Sequence, residues 1–135
     1  MFGFGGPKKP KILLVDDDRF MLTVIKSYIP AEQFEVVTAI NGVEACTVAH
    51  KQVPTLILLD ANMPEKDGWA TLADLHVDPV TAGIPVLMCT SVDDVSSMDQ
   101  AFNLGAKGYV TKPVDQGKLL KKISKTLGIE VAAAT

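Results

Sequence analysis

Cysteine and histidine are scarce in this 135-residue chain, two of each. Cys46 and Cys89 stand far apart and form no CxxC pair, which argues against a metal knuckle or a thioredoxin-like centre. Both are read as buried reduced thiols. His50 and His76 lack ligand spacing to each other or to the cysteines and receive no chemical role. Long apolar runs are missing too. Hydrophobic residues make up 47% of the chain, but they are divided among short runs well below the ~20 consecutive residues of a membrane span. Nor is there an excess of positive charge. The net charge is -3, without the basic footprint of a nucleic-acid-binding domain, so direct nucleic-acid binding is not expected. The glycines of the opening Met1–Pro10 follow no strand and precede no GK[ST], so they form no phosphate loop. No apolar core follows the lysines there, so the segment is no secretory signal. The expected organisation is a flexible leader over residues 1–10, one folded domain over 11–128, and a short tail over 129–135.

A chain of this length buries roughly two-thirds of its unfolded surface, enough for a single core. Apolar runs rich in branched residues recur along it: Ile12–Val15, Phe34–Val37, Leu56–Leu59, Pro85–Cys89 and Gly108–Val110. Segments with helical spacing lie between them. Phe20, Val24 and Ile25 mark the first; Val43, Cys46 and Ala49 the second; Trp69, Leu72 and Leu75 the third. Val95, Met98 and Phe102 mark the fourth, and Leu119, Leu120, Ile123 and Leu127 the fifth. Asp93 and Asp115 suit helix caps, and Gly128 a helix stop. Strands alternating with helices imply parallel pairing, right-handed crossovers and helices on both faces. In such an open α/β sheet, ligands bind beyond the carboxyl ends of the strands.

Those ends carry a consistent set of side chains. Asp16-Asp17-Asp18 closes the first strand and Asp60 the third, and carboxylates brought together there repel unless a hard cation such as Mg²⁺ joins them. Thr90-Ser91 follows the fourth strand and Thr111-Lys112-Pro113 the fifth. A carboxylate can act as a nucleophile that becomes an acyl phosphate, while a metal, a lysine and a hydroxyl offset charge on the transferred group. Taken singly each signal is ordinary: aspartate caps helices and opens turns, and a lysine is usually a solvated charge. Their agreement at four strand ends points to phosphoryl transfer.

On these residues the chain resembles the receiver domain of two-component response regulators, over about residues 10–128, and is similar to the stand-alone chemotaxis-type regulators. The resemblance implies a five-stranded parallel sheet in the order 2-1-3-4-5, the flavodoxin-like receiver fold. Matched to the family motif, Val15-Asp16-Asp17 supplies the acid pair for Mg²⁺ (or Mn²⁺), and Asp60 in Leu59-Asp60-Ala61-Asn62-Met63-Pro64 is the phosphoacceptor. The backbone carbonyl of Asn62 completes the metal ligands. Thr90 is the switch hydroxyl, Lys112 the phosphate-binding lysine and Tyr109 the aromatic that follows Thr90. Asp67-Gly68 opens the third helix, and Lys112-Pro113 is expected to be cis.

The implied partners are a sensor histidine kinase or histidine phosphotransfer protein as donor. A downstream protein target is implied on the face of the fourth helix, fifth strand and fifth helix. The expected protein is a cytoplasmic, single-domain signalling protein with no membrane insertion, and not an enzyme beyond assisting its own phosphorylation and dephosphorylation. Two departures stand out. Lys66 replaces a commonly apolar residue before Asp67-Gly68, and Val92 is apolar where some relatives carry a polar group, for which slow self-dephosphorylation is expected. Lys118, Lys121, Lys122 and Lys125 form a basic stripe, either a solvated face or a partner-binding edge.

Other readings fit less well. A haloacid-dehalogenase-type phosphatase needs Asp-x-Asp-x-Thr or Val after the first strand, and Asp16-Asp17-Asp18-Arg19-Phe20 lacks that fifth residue. A flavodoxin-type flavin module needs a hydroxyl- and glycine-rich loop where this chain has three aspartates. A receiver-like scaffold that works without phosphorylation is the remaining alternative.

Overall fold

A computed structural model describes residues 9–91 and 102–132. Five parallel strands form one sheet in the order β2-β1-β3-β4-β5, with β1 at Lys11–Val15, β2 at Glu35–Ala39, β3 at Leu56–Asp60, β4 at Val86–Ser91 and β5 at Gly108–Lys112. Helices α1 (Arg19–Tyr28), α2 (Gly42–Gln52), α3 (Gly68–Val77) and a C-terminal helix (Gln116–Leu127) cover the sheet. Of the residues expected to mark a helix between β4 and β5, Val95 and Met98 lie outside the described residues, as do Asp93 and Val92.

The strands alternate as a two-sided buried sheet requires. Ile12, Leu14, Leu56, Leu58, Leu87 and Cys89 join the core formed with α1 and the C-terminal helix. Their neighbours Leu13, Val15, Ile57, Leu59, Val86 and Met88 join the core beneath α2 and α3. Full burial of an aliphatic side chain contributes roughly 1.5–3 kcal/mol, so these central strands, not any single ion pair, hold the sheet. They thereby fix where the strand ends stand.

Each described helix begins on a carboxylate or amide cap at that same edge. Asp18 accepts from the N–H groups of Phe20 and Met21, Asn41 from Glu44, Asp67 from Ala70 and Asp115 from Lys118. The Glu44 side chain accepts in turn from Ile40 N–H at 3.0 Å, a reciprocal cap. Gly128 ends the last helix at φ +68°, the left-handed position that glycine occupies without steric cost. Val53 holds a similar position at φ +43° after α2, although a β-branched side chain is strained there.

Helical spacing located the helices but not all of their buried faces. Phe20 is 72% exposed and Val43 64% exposed. In α1 it is Leu22 and Ile25 that bury, since they and not Phe20 face the core shared with the C-terminal helix. No helix among the described residues is long and apolar enough to cross a membrane.

Candidate phosphoacceptor and metal site

The in-register pairing of β1 with β3 aligns Val15 with Leu59, so the residues that follow, Asp16 and Asp60, emerge side by side. Both are nearly inaccessible, at 4% and 2% exposure. Carboxylate oxygens of Asp16, Asp17 and Asp60 lie within 4.8 Å of one another. Asp18 is set apart from this cluster, because its side chain caps α1. The capping account of the triple aspartate thus holds for Asp18 alone. The N–H of Asp18 in turn donates to Asp16 Oδ1 at 2.9 Å and orients that carboxylate.

Lys112 reaches in from the end of β5. Its ammonium donates to Asp60 Oδ1 at 2.7 Å and stands 3.9 Å from Asp16 Oδ2. The N–H of Asn62 also donates to Asp60 Oδ1, at 3.2 Å. Burial pulls the Lys112 ammonium down, but its hydrogen bond to Asp60 and the charges of Asp60 and Asp16 outweigh this and leave it above the ordinary lysine range. Asp16 moves the other way from a free carboxylate. Burial, with the charges of Asp60 and Asp17, pushes it up to about 6 despite the Asp18 N–H and Lys112.

The donor set suits a hard divalent cation. Three carboxylates against one ammonium leave two negative charges, and the oxygens are of the kind Mg²⁺ prefers. Soft ligands take no part. Cys89 pairs in register with Asp60, but burial pushes its thiol up to about 12, which keeps it protonated and inert.

Thr90 follows Cys89 on β4, is fully buried, and pairs with Thr111 of β5. Its Oγ1 has no hydrogen-bond partner among the described residues. A buried hydroxyl left unsatisfied costs about 1–3 kcal/mol. Thr90→Val, of similar shape, is therefore expected to raise stability by about 1 kcal/mol, read as a higher urea midpoint at unchanged slope. A lower midpoint would show that the hydroxyl is satisfied in solution.

The loop after β3 is closed by the N–H of Gly68, which donates to Ala61 O at 3.0 Å. A Cβ on Gly68 would stand 2.2 Å from Asp60 O and 2.7 Å from Ala61 Cα, so only glycine lets α3 start against the strand end. The pair Asp67-Gly68 was legible as a helix start, but this close approach was not. The Lys112-Pro113 bond is cis.

Tyr109 lies half-buried on β5, three residues before Lys112. Its ring meets Phe102 edge-on, with centroids 6.4 Å apart, and carries the Lys122 ammonium 5.3 Å from its centre. In the sequence Phe102 is a helix marker and Lys122 part of the basic stripe, but nothing local joins positions 102, 109 and 122 in one contact. Lys66 does not extend freely into solvent. It pairs with Asp74 and stands 3.8 Å from Cys46 Sγ, bridging α2 and α3.

This arrangement of parallel sheet, acidic strand ends and opposing lysine defines a class of signalling module, and comparison with known proteins places the chain within it. Residues 12–124 match the model of the response regulator receiver domain, and the chain belongs to that family. It is 35% identical over 118 residues to the chemotaxis protein CheY of Halobacterium salinarum, covering 87% of this chain and 96% of that protein. It is also 35% identical over 113 residues to the response regulator PleD of Caulobacter vibrioides, covering 84% of this chain but only 25% of PleD. Among solved structures, a CheY-like receiver domain protein from Methanospirillum hungatei superimposes with a TM-score of 0.81 at 29% identity, covering 90% of this chain and 95% of that one. The chain thus spans only a part of several of its relatives, a quarter in the case of PleD. Receiver domains are signalling modules that hold Mg²⁺ in an acidic pocket and interact with histidine kinases and downstream targets.

Proposed function

We propose that this chain accepts a phosphoryl group on Asp60 from a histidine kinase or a histidine phosphotransfer protein and signals through a phosphorylation-dependent change of its partner-binding face. The observation that carries this reading is the convergence of Asp16, Asp17, Asp60 and Lys112 at one strand edge, with Thr90, whose buried hydroxyl has no hydrogen-bond partner among the described residues, next in chain to the Cys89 that pairs with Asp60.

Asp60 Oδ1 is engaged by Lys112 and by the N–H of Asn62, which leaves Oδ2 as the nucleophile. Oδ2 forms a bond to phosphorus as the bond from phosphorus to the donor's imidazole nitrogen breaks; the electron pair goes to that nitrogen, which takes up a proton from solvent. Asp16, Asp17 and Asp60, with the carbonyl of Asn62, would hold a Mg²⁺ or Mn²⁺ ion, which supplies charge neutralisation for the transferred oxygens. Lys112 exchanges its bond to Asp60 for one to the new phosphoryl oxygen, as the phosphoryl group's greater negative charge attracts it more strongly than one carboxylate. The Thr90 hydroxyl, with no partner among the described residues, donates to a second phosphoryl oxygen. Its inward movement frees space at β5 into which Tyr109 turns. The phosphate acts only through its unequal interaction with two arrangements of this face.

Intact mass after incubation with acetyl phosphate tests the reading. A gain of one phosphoryl group is expected in wild type with Mg²⁺, absent without divalent cation and absent in Asp60→Asn. Folded wild type that gains nothing would favour a receiver-like scaffold that works without phosphorylation.

A further inference from the structure

The loop between Asp60 and α3 carries Asn62, and its two ends are tied to the sheet edge. Ala61 N–H donates to Cys89 O at 2.9 Å, and Gly68 N–H to Ala61 O at 3.0 Å. Between these ties, residues 63–66 form no backbone–backbone hydrogen bond among the described residues. Glu65 stands there at φ +67°, a left-handed conformation that costs energy for a residue with a side chain and persists only where its surroundings hold it. Met63 is buried, while Pro64 and Glu65 are exposed. The other side chain that ties this stretch to the domain is Lys66. We propose that Lys66 is a positioning residue for the metal site: its ion pair with Asp74 pins the loop so that Asn62 stands where the cation takes its carbonyl. The inference rests on the phosphoacceptor reading for that role of Asn62.

Two helices hold Lys66 in place. A Cβ on Gly42, the first residue of α2, would stand 3.0 Å from both Cγ and Cδ of Lys66, so the aliphatic stem passes directly over the start of that helix. Beyond the stem, the ammonium pairs with Asp74 of α3 and lies 3.8 Å from Cys46 Sγ of α2. An apolar residue at this position could cover Gly42 but could not reach across to a carboxylate on α3.

The pair adds little to global stability, because the Asp74 side chain is 56% exposed and exposed ion pairs are screened by solvent. Its effect falls on the loop, where few other restraints compete. Mg²⁺ demands near-ideal octahedral geometry. A loop freed to sample other conformations lowers the fraction of molecules that present the full ligand set, and apparent affinity falls with that fraction.

The test is isothermal titration calorimetry of the metal-free full chain with Mg²⁺, without phosphodonor. Lys66→Met alone would mix the loop effect with the loss of a positive charge near the acidic cluster. The variant of choice is therefore Lys66→Met/Asp74→Asn, which removes the pair at constant net charge. It is expected to bind Mg²⁺ about threefold to fivefold more weakly than wild type, with a urea midpoint close to wild type. Lys66→Arg, which can keep the pair, is expected to bind as wild type does. The matched control is Lys11→Met/Glu35→Gln, which breaks an ion pair at the amino ends of β1 and β2 and is expected to leave Mg²⁺ affinity unchanged. Unchanged affinity in Lys66→Met/Asp74→Asn overturns the inference, and a lowered urea midpoint beside it would assign Lys66 a structural role alone. An equal loss in the control, or wild type that binds no Mg²⁺, overturns it as well. The mass gain with acetyl phosphate separates the two readings. Weaker Mg²⁺ binding in the variant, with no phosphoryl gain in wild type, supports the positioning role and counts against phosphorylation at Asp60, and a gain with unmoved Mg²⁺ affinity does the reverse.

Discussion

Gly68→Ala is expected to destabilise the domain by about 3 kcal/mol and to slow phosphoryl uptake at the neighbouring Asp60. The added methyl would meet backbone, Asp60 O at 2.2 Å and Ala61 Cα at 2.7 Å, and backbone cannot yield as the end of a flexible side chain can. Either α3 lifts from the strand end or the Asp60 carbonyl shifts, and both disturb the carboxylate that Lys112 and the Asn62 N–H hold. The matched control is Gly117→Ala in the C-terminal helix. There the nearest atom is Asp115 Oδ2 at 3.4 Å, an ordinary contact, and alanine should gain roughly 0.5–1 kcal/mol from reduced backbone entropy. Urea midpoints at unchanged slope measure both changes. A Gly68→Ala protein as stable as wild type would show that α3 can move off β3 at little cost.

Asp16 gives the second large effect. Its carboxyl is raised from 3.8 to about 6 in the folded chain, so between these values the folded state binds more protons than the unfolded one. Stability then falls as pH rises through this window. The contribution is fully present below about 3.8 and is lost by somewhat above 6; a displacement of that size corresponds to about 3 kcal/mol. In metal-free protein, the urea midpoint is therefore expected to decline from pH 4 to pH 7.

Asp16→Asn should flatten that decline. It should also raise stability at pH 7 by about 2 kcal/mol, somewhat less than the full amount because Lys112 loses a charge 3.9 Å away. The amide oxygen can keep the bond from the Asp18 N–H. Added Mg²⁺ should stabilise wild type, by preferential binding to the folded state, and do so far less in Asp16→Asn. If Asp16→Asn is less stable than wild type at pH 7 without metal, the attraction of Lys112 for the Asp16 carboxylate outweighs the cost of burying its charge.

The sheet, its edge and the residues on that edge were legible in the chain because each depends on local chemistry. Short apolar runs rich in branched residues specify strands, and Asp67, Asp115 and Gly128 announce where helices start or stop. The strand order was carried by family resemblance, and the register that sets Asp16 beside Asp60 follows from the pairing of β1 with β3.

Helical spacing was less complete as a guide. It used Phe20 and Val43 to mark helices, yet they are 72% and 64% exposed, because an apolar stripe shows that a helix has a buried face but packing selects which residues occupy it. By itself the sequence determined the elements and the side chains at their carboxyl ends. Only the tertiary structure decided that Asp18 caps while Asp16 and Asp17 join Asp60, that Lys112 spans 52 positions to reach Asp60, that Gly68 seats α3 against its backbone, and that Lys122 covers Tyr109. Apart from the local Asp18 cap, these are distances between residues brought together by crossovers and close packing, which no local pattern encodes.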